Sequence, residues 1–109
     1  MKMNVKEPVL SQEHLDVWNV LNNSEAKYVT IKKLLTLLHK PASYKRKLNK
    51  IIYDLVVVHC FPIGSSNVSD ARGYFIIKNQ SDKDLAVITL HNFIEGNCRR
   101  LEAVKQIEF

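Results

Sequence analysis

The spacing of apolar residues predicts two helices in the first forty residues. The segment SQEHLDVWNVLNN places its apolar residues on one face, and Ser11 is a candidate N-cap before it. The chain around Tyr28 suits a stub of strand, after which Thr30 is a candidate cap for a second helix, TIKKLLTLLHK. Pro41 cannot continue that helix, so we expect the chain to turn at HKPAS.

A third helix, SYKRKLNKIIYDLVVV, is amphipathic and strongly basic. We expect Ser43 to cap it, and its inward face holds Leu48, Ile51, Ile52 and Leu55. The outward face holds Tyr44, Lys45, Arg46, Lys47, Asn49, Lys50 and Tyr53. From Ser43 to Lys50 there are four cations and no acid, so this face should carry a positive field that suits phosphates.

A β-hairpin is expected next. Two extended runs, residues 60–65 and 73–78, flank NVSDAR, which has the composition of a turn. In the second run, Phe75 and Ile77 should face one way and Tyr74 and Ile76 the other, with one pair buried. The hairpin also supplies hydrogen-bond donors that suit phosphate or minor-groove contact: Ser65, Ser66, Asn67, Arg72 and Lys78.

The last segment, SDKDLAVITLHNFIEGNCRRLEAVKQIEF, predicts a helix with Ser81 as its cap. A heptad pattern places Val87, Ile94 and Leu101 at one seam position and Leu90, Asn97 and Val104 at the other. Two arrangements remain open. The helix either pairs with a second copy to make a homodimer, or it folds back on its own domain, and Gly96 weakens the case for a long rigid rod.

These elements define a mainly α chain with a small hairpin, in the α+β class: a winged helix-turn-helix followed by a C-terminal helix. The expected organisation is a leader at residues 1–10, a winged domain at 11–79 and a C-terminal helix at 80–109. Residues 1–79 hold twelve Lys or Arg against six Asp or Glu, a balance of +6, whereas residues 80–109 hold four against five. The basic character therefore belongs to the predicted winged domain.

Composition excludes several classes of protein. An apolar fraction of 46% and a charged fraction of 25% are typical of a globular protein, and we expect a cytoplasmic location without membrane contact. Cys60 and Cys98 should be reduced and partly buried, and the four histidines have no metal-binding spacing, so no metal or cofactor is expected. The chain has three glycines and no clustered carboxylates, which argues against an enzyme.

The order of helix, helix, basic helix, hairpin and helix resembles the winged-helix superfamily of DNA-binding proteins. The run from Leu48 through PIGSS and GYFIIK to SDKDL resembles, more narrowly, small helix-turn-helix proteins of phages and prophages of Gram-positive bacteria. The resemblance covers roughly residues 11–105, and PIGSS followed by GYFIIK is its most specific part. The chain departs from that pattern because His59 stands where a glycine is common and the wing turn is slightly long.

The resemblance implies binding of double-stranded DNA, with the third helix in the major groove and the hairpin on the backbone. Such a protein would regulate transcription, or assist replication or excision in a mobile element, and a dimer would read two half-sites of a palindrome. Tyr44, Arg46 and Asn49 are the candidates for reading base edges. The predicted DNA surface comprises Lys32, Lys33, Ser43, Tyr44, Lys45, Arg46, Lys47, Asn49, Lys50, Tyr53, Ser65, Ser66, Asn67, Arg72 and Lys78. The alternative is a non-enzymatic module that binds a host protein, since winged helices also bind proteins.

Overall fold

The structure is a computed structural model that describes residues 9–109. The predicted leader therefore lies outside the described residues except for Val9 and Leu10, which are exposed. The elements are α1 (Gln12–Asn23), α2 (Ile31–Leu37), a short 3-10 helix (Ala42–Tyr44), α3 (Lys45–Val57), β1 (Ile63–Val68), β2 (Ala71–Ile76) and α4 (Gln80–Lys105). The predicted fold class, mainly α with a small hairpin and a long C-terminal helix, is confirmed.

The apolar faces of α1, α2 and α3 meet in one core. Val17, Leu34, Leu48 and Leu55 are its fully buried side chains in these helices. Trp18 is partly buried at the edge of this core, where its ring meets that of Phe61 edge-on. Burial of this shared face supplies the hydrophobic free energy that holds the helices together.

The caps of the first two helices are as predicted. The Ser11 hydroxyl accepts a hydrogen bond from the backbone N–H of His14, and the ring of His14 accepts one from the backbone N–H of Ser11. Thr30 Oγ1 accepts from the backbone N–H of Lys33 at 3.1 Å. Each cap satisfies N–H groups that the helix itself leaves unpaired.

Two other predicted caps are wrong. Ser43 lies inside the 3-10 helix, where the backbone N–H of Tyr44 donates to the carbonyl of Pro41, and α3 begins without a side-chain cap. The last helix begins one residue before Ser81, because Asn79 is extended and its Oδ1 atom accepts from the N–H of Asp82 at 2.8 Å.

The link between α2 and α3 is longer than the predicted turn at HKPAS. Helix α2 ends at Leu37, and His39 then adopts a left-handed backbone with φ of 58°. The N–H of Lys40 closes this end by donating to the carbonyl of Leu35 at 2.9 Å. The left-handed residue His39 and the 3-10 helix together turn the chain around Pro41.

The hairpin is tighter than the sequence predicts. Its strands pair antiparallel from Ile63 with Ile76 to Val68 with Ala71, so only residues 69–70 form the turn. The predicted six-residue turn, NVSDAR, is wrong because its outer residues take part in the strand pairing. Asn67 and Arg72 lie opposite each other one pair from the tip.

Both faces of the hairpin are covered, whereas the sequence predicts one buried pair. Tyr74 and Ile76 pack against the three-helix core. Phe75 is fully buried beneath α4 on the other face, beside Gly64 and Ala86. A Cβ atom at Gly64 would lie 2.7 Å from Cβ of Ala86, so glycine at this position lets α4 lie close to the sheet.

A single bridge extends the hairpin toward the helices. Val29 and Tyr74 exchange two backbone hydrogen bonds of 2.9 and 2.8 Å, in agreement with the predicted stub of strand around Tyr28. Next to this bridge, Gly73 has φ of 123°, and a Cβ atom there would lie 2.4 Å from the carbonyl carbon of Val29.

Helix α4 packs on β1 with its first turns only. Asp82 and Ala86 are its buried residues, and every residue from Leu90 to Phe109 is exposed. The helix runs through Gly96 without a break. From Leu90 onward the helix therefore does not fold back on the rest of the described chain. Within the part of the chain described, no helix combines the length and apolar character that crossing a membrane requires.

Candidate nucleic-acid interface

The start of α3 presents two unpaired cations to solvent. Lys45 and Arg46 are exposed, and neither forms an ion pair with any residue in the range 9–109. The 3-10 helix leads directly into α3. Both side chains project from the first turn of α3, whose opposite face is buried. These are the groups of the predicted basic face that are free to meet phosphate.

Lys47 and Tyr44 both bind Glu13 of α1. Lys47 Nζ lies 3.0 Å from Glu13 Oε1, and the Tyr44 hydroxyl donates to Glu13 Oε2 at 2.6 Å. These contacts, with that of Tyr44 the larger, lower the pKa of Glu13 below its usual value. Burial and the same hydrogen bond raise the pKa of Tyr44 to about 12. The Tyr44 hydroxyl is therefore committed to Glu13, which leaves its ring as the accessible part.

Lys50 is also paired. Its Nζ atom lies 2.9 Å from Oδ1 of Asp54, one turn further along α3, and the second oxygen of this buried carboxylate lies 3.2 Å from Nε2 of His14. Lys50, and then His14, hold the pKa of Asp54 below its usual value. The positive charge of Lys50 is thus largely compensated within the protein.

Asn49 and Tyr53 occupy the remaining outward positions of α3. Asn49 is exposed, and its Oδ1 atom faces the Tyr74 hydroxyl of β2 at 3.5 Å. Its amide nitrogen has no partner among residues 9–109 and can donate outward. Tyr53 is exposed, with Lys50 Nζ 5.4 Å from the centre of its ring.

The hairpin contributes fewer groups than predicted. Arg72 and Asn67 are exposed near its tip, and no acidic group within the described residues pairs with Arg72. Ser65 is half-buried. Ser66 is only 5% exposed, because its side chain lies between the hairpin and α4, and its hydroxyl accepts from the N–H of Val68. Its assignment to a DNA surface is therefore wrong.

Three predicted lysines lie outside α3, on or next to other elements. Lys32 and Lys33 are exposed in the first turn of α2. Lys78 follows β2, six residues from Arg72 and so about 20 Å from the hairpin tip along the strand direction. The backbone N–H of Lys78 donates to Asp82 Oδ2 at 3.0 Å and helps to fix the start of α4. The structure thus separates Lys78 from the tip of the hairpin.

Lys40 belongs with the basic face, and the sequence did not identify it. Its Nζ atom lies 5.0 Å from the centre of the Tyr44 ring, and Lys47 Nζ lies 5.9 Å from the same ring. The role of Asp54 was also missed, although its spacing of four residues from Lys50 on one helix was a usable signal. Glu13 gave no signal, because only the fold brings it to α3.

We define the basic face as Lys40, Tyr44, Lys45, Arg46, Lys47, Asn49 and Lys50. It holds five cations, and two carboxylates, Glu13 and Asp54, lie against it. Among residues 9–109, no three His, Cys, Asp or Glu side chains converge in a way that could hold a metal ion. Cys60 and Cys98 are both exposed, so the prediction that they are partly buried is wrong. Comparison with protein-family models, curated proteins and solved structures found no match for this chain.

Proposed function

We propose that this protein binds double-stranded DNA, with the basic face at the start of α3 in the major groove and the hairpin tip on the backbone. The observation that carries the proposal is the pair of exposed cations, Lys45 and Arg46, which no carboxylate within residues 9–109 neutralises. Exposed, uncompensated cations at the start of a helix gain free energy from phosphate by releasing its bound counterions. Interfaces with proteins, in contrast, are depleted of lysine at their centres.

The proposed roles differ along the face. Lys40 and Lys45 contact phosphates, and Arg46 and Asn49 read base edges, since guanidinium and amide groups form paired hydrogen bonds with guanine and adenine. Tyr44 contacts DNA with its ring rather than its hydroxyl, because the hydroxyl donates to Glu13. Arg72 contacts the DNA backbone from the hairpin. The process served is regulation of transcription, or of replication or excision in a mobile element, without catalysis by this chain.

The test is a fluorescence-anisotropy titration with random duplexes and genomic fragments at two salt concentrations. The double variant Lys45→Ala/Arg46→Ala should lose most of the affinity. The matched control, Lys78→Ala/Arg99→Ala, removes the same charge away from the basic face and should retain it. Equal losses in both variants would contradict the assignment of the surface, and no binding by the unaltered protein at low salt would favour a protein partner.

A further inference from the structure

Helix α4 carries an apolar stripe that no residue in the described range, 9–109, covers. The helix has 26 residues and is therefore about 39 Å long. The six seam positions of the heptad pattern are Val87, Leu90, Ile94, Asn97, Leu101 and Val104, all of which are exposed, and five of them are apolar. A stripe of this length on an isolated helix requires a partner surface to bury it.

The stripe continues into an apolar groove on the domain. An open groove of about 500 Å³ lies between α3, the hairpin and the start of α4. Val87 and Leu90 form one wall of the groove and are also the first two seam positions. Tyr53, Val56 and Val57 of α3 line the opposite wall, and Val57 is 55% exposed. A partner on the seam would therefore also reach the groove.

We propose that the partner is a second copy of this chain, with the two α4 helices antiparallel and the end of each covering the groove of the other. A two-fold axis near residues 95–96 then determines which seam residues of the two helices lie opposite each other. The seam pairs are Val87 with the partner's Val104, Leu90 with the partner's Leu101, and Ile94 with the partner's Asn97. The last residues of the partner, including the exposed Ile107 and Phe109, extend past Val87 toward the groove.

The charges beside the seam distinguish the two possible orientations. In a parallel pair, Arg100 would lie next to the partner's Lys105, and the two like charges would repel each other twice in the dimer. In the antiparallel pair, Lys105 lies next to the partner's Asp84, which gives two attractive contacts, and Arg100 lies beside the exposed ring of the partner's Phe93. The dipoles of two antiparallel helices attract each other, which also favours this orientation.

Disulfide cross-linking tests the orientation without DNA, so its outcome is independent of the proposed function. The background carries Cys60→Ser and Cys98→Ser, which remove the two native thiols. An equimolar mixture of Leu90→Cys and Leu101→Cys proteins should form the mixed disulfide. Leu90→Cys alone should not cross-link, because two antiparallel copies place the two positions about 17 Å apart along the helix, beyond the reach of a disulfide. Arg99→Cys, on the outer face of α4, is the matched negative control.

A Leu90→Cys protein that cross-links efficiently with itself would overturn the antiparallel arrangement, and a monomer in sedimentation equilibrium would overturn the dimer. The groove is tested separately with Val57→Lys, which should raise the dissociation constant of the dimer at least about tenfold, or about 1.4 kcal/mol. Val68→Lys, at an equally exposed valine near the hairpin tip, should leave it unchanged. Equal dissociation constants for these two variants would remove the groove from the interface.

Discussion

Nε2 of His14 lies 3.2 Å from Oδ2 of Asp54, and this contact joins α1 to α3 across forty residues of sequence. Asp54 is buried, yet its carboxylate accepts from Lys50 on one oxygen and meets His14 on the other. A buried carboxylate is tolerated when both oxygens have partners. The same network that compensates Lys50 on the basic face therefore also holds together the helices that carry that face.

Replacement of Asp54 by Ala should lower the free energy of unfolding by about 1 to 3 kcal/mol, because His14 loses its buried partner and α3 loses its tie to Lys50. Urea denaturation monitored by circular dichroism measures the change. Asp70→Ala, at the exposed hairpin turn, is the control and should change stability by less than about 0.5 kcal/mol. Similar values for the two variants would show that the network adds no stability.

The pH dependence of stability should follow from the same carboxylate. Lys50 and His14 lower the pKa of folded Asp54 below its ordinary value of 3.8, so the unfolded chain binds the proton more readily. The stabilisation is present above the unfolded pKa and is lost as the pH falls through the folded one. Urea midpoints recorded from pH 6 to pH 2.5 should decline below about pH 4. In Asp54→Ala this decline should be smaller, and an identical decline would assign it to other carboxylates.

Glycine has opposite effects at two positions in this fold. Gly73→Ala should destabilise the protein by more than about 1 kcal/mol, because φ is 123° there and a Cβ atom would lie 2.4 Å from the backbone of Val29. Gly96→Ala should stabilise α4 by about 0.5 to 1 kcal/mol, since nothing lies within 4 Å of the added carbon. Thermal unfolding of both variants measures these changes, and a loss of stability in both would contradict the open environment of Gly96.

The sequence pattern predicted the order and type of the elements, because periodicity over seven or more residues reports which face is buried. The cap at Thr30 was predictable for the same local reason. The predicted caps at Ser43 and Ser81 are wrong because a 3-10 helix precedes α3 and because Asn79, not Ser81, caps α4. Long-range pairing left no such signal. Nothing in the sequence showed that Glu13 would meet Lys47 or that Ser66 would lie beneath α4.

The unpaired cations of the basic face should contribute more to DNA binding than the paired ones. Lys45 is unpaired within the described residues, so Lys45→Ala should reduce the slope of log affinity against log salt by about 0.9 and leave the free energy of unfolding unchanged. Lys50 is 2.9 Å from Asp54, so its charge attracts phosphate less strongly. Lys50→Ala should therefore change the slope by less, and it should lower stability by removing a partner of a buried carboxylate.

Anisotropy titrations at four salt concentrations give the slopes, and urea denaturation of the same preparations gives the stabilities. The two variants carry the same net charge, so a nonspecific effect of charge would change both slopes equally. A larger change for Lys50→Ala than for Lys45→Ala would mean that the Lys50–Asp54 pair opens on binding. Lys50 would then contact phosphate in the complex, and Lys50→Ala should bind DNA more weakly than the unaltered protein because that contact is lost.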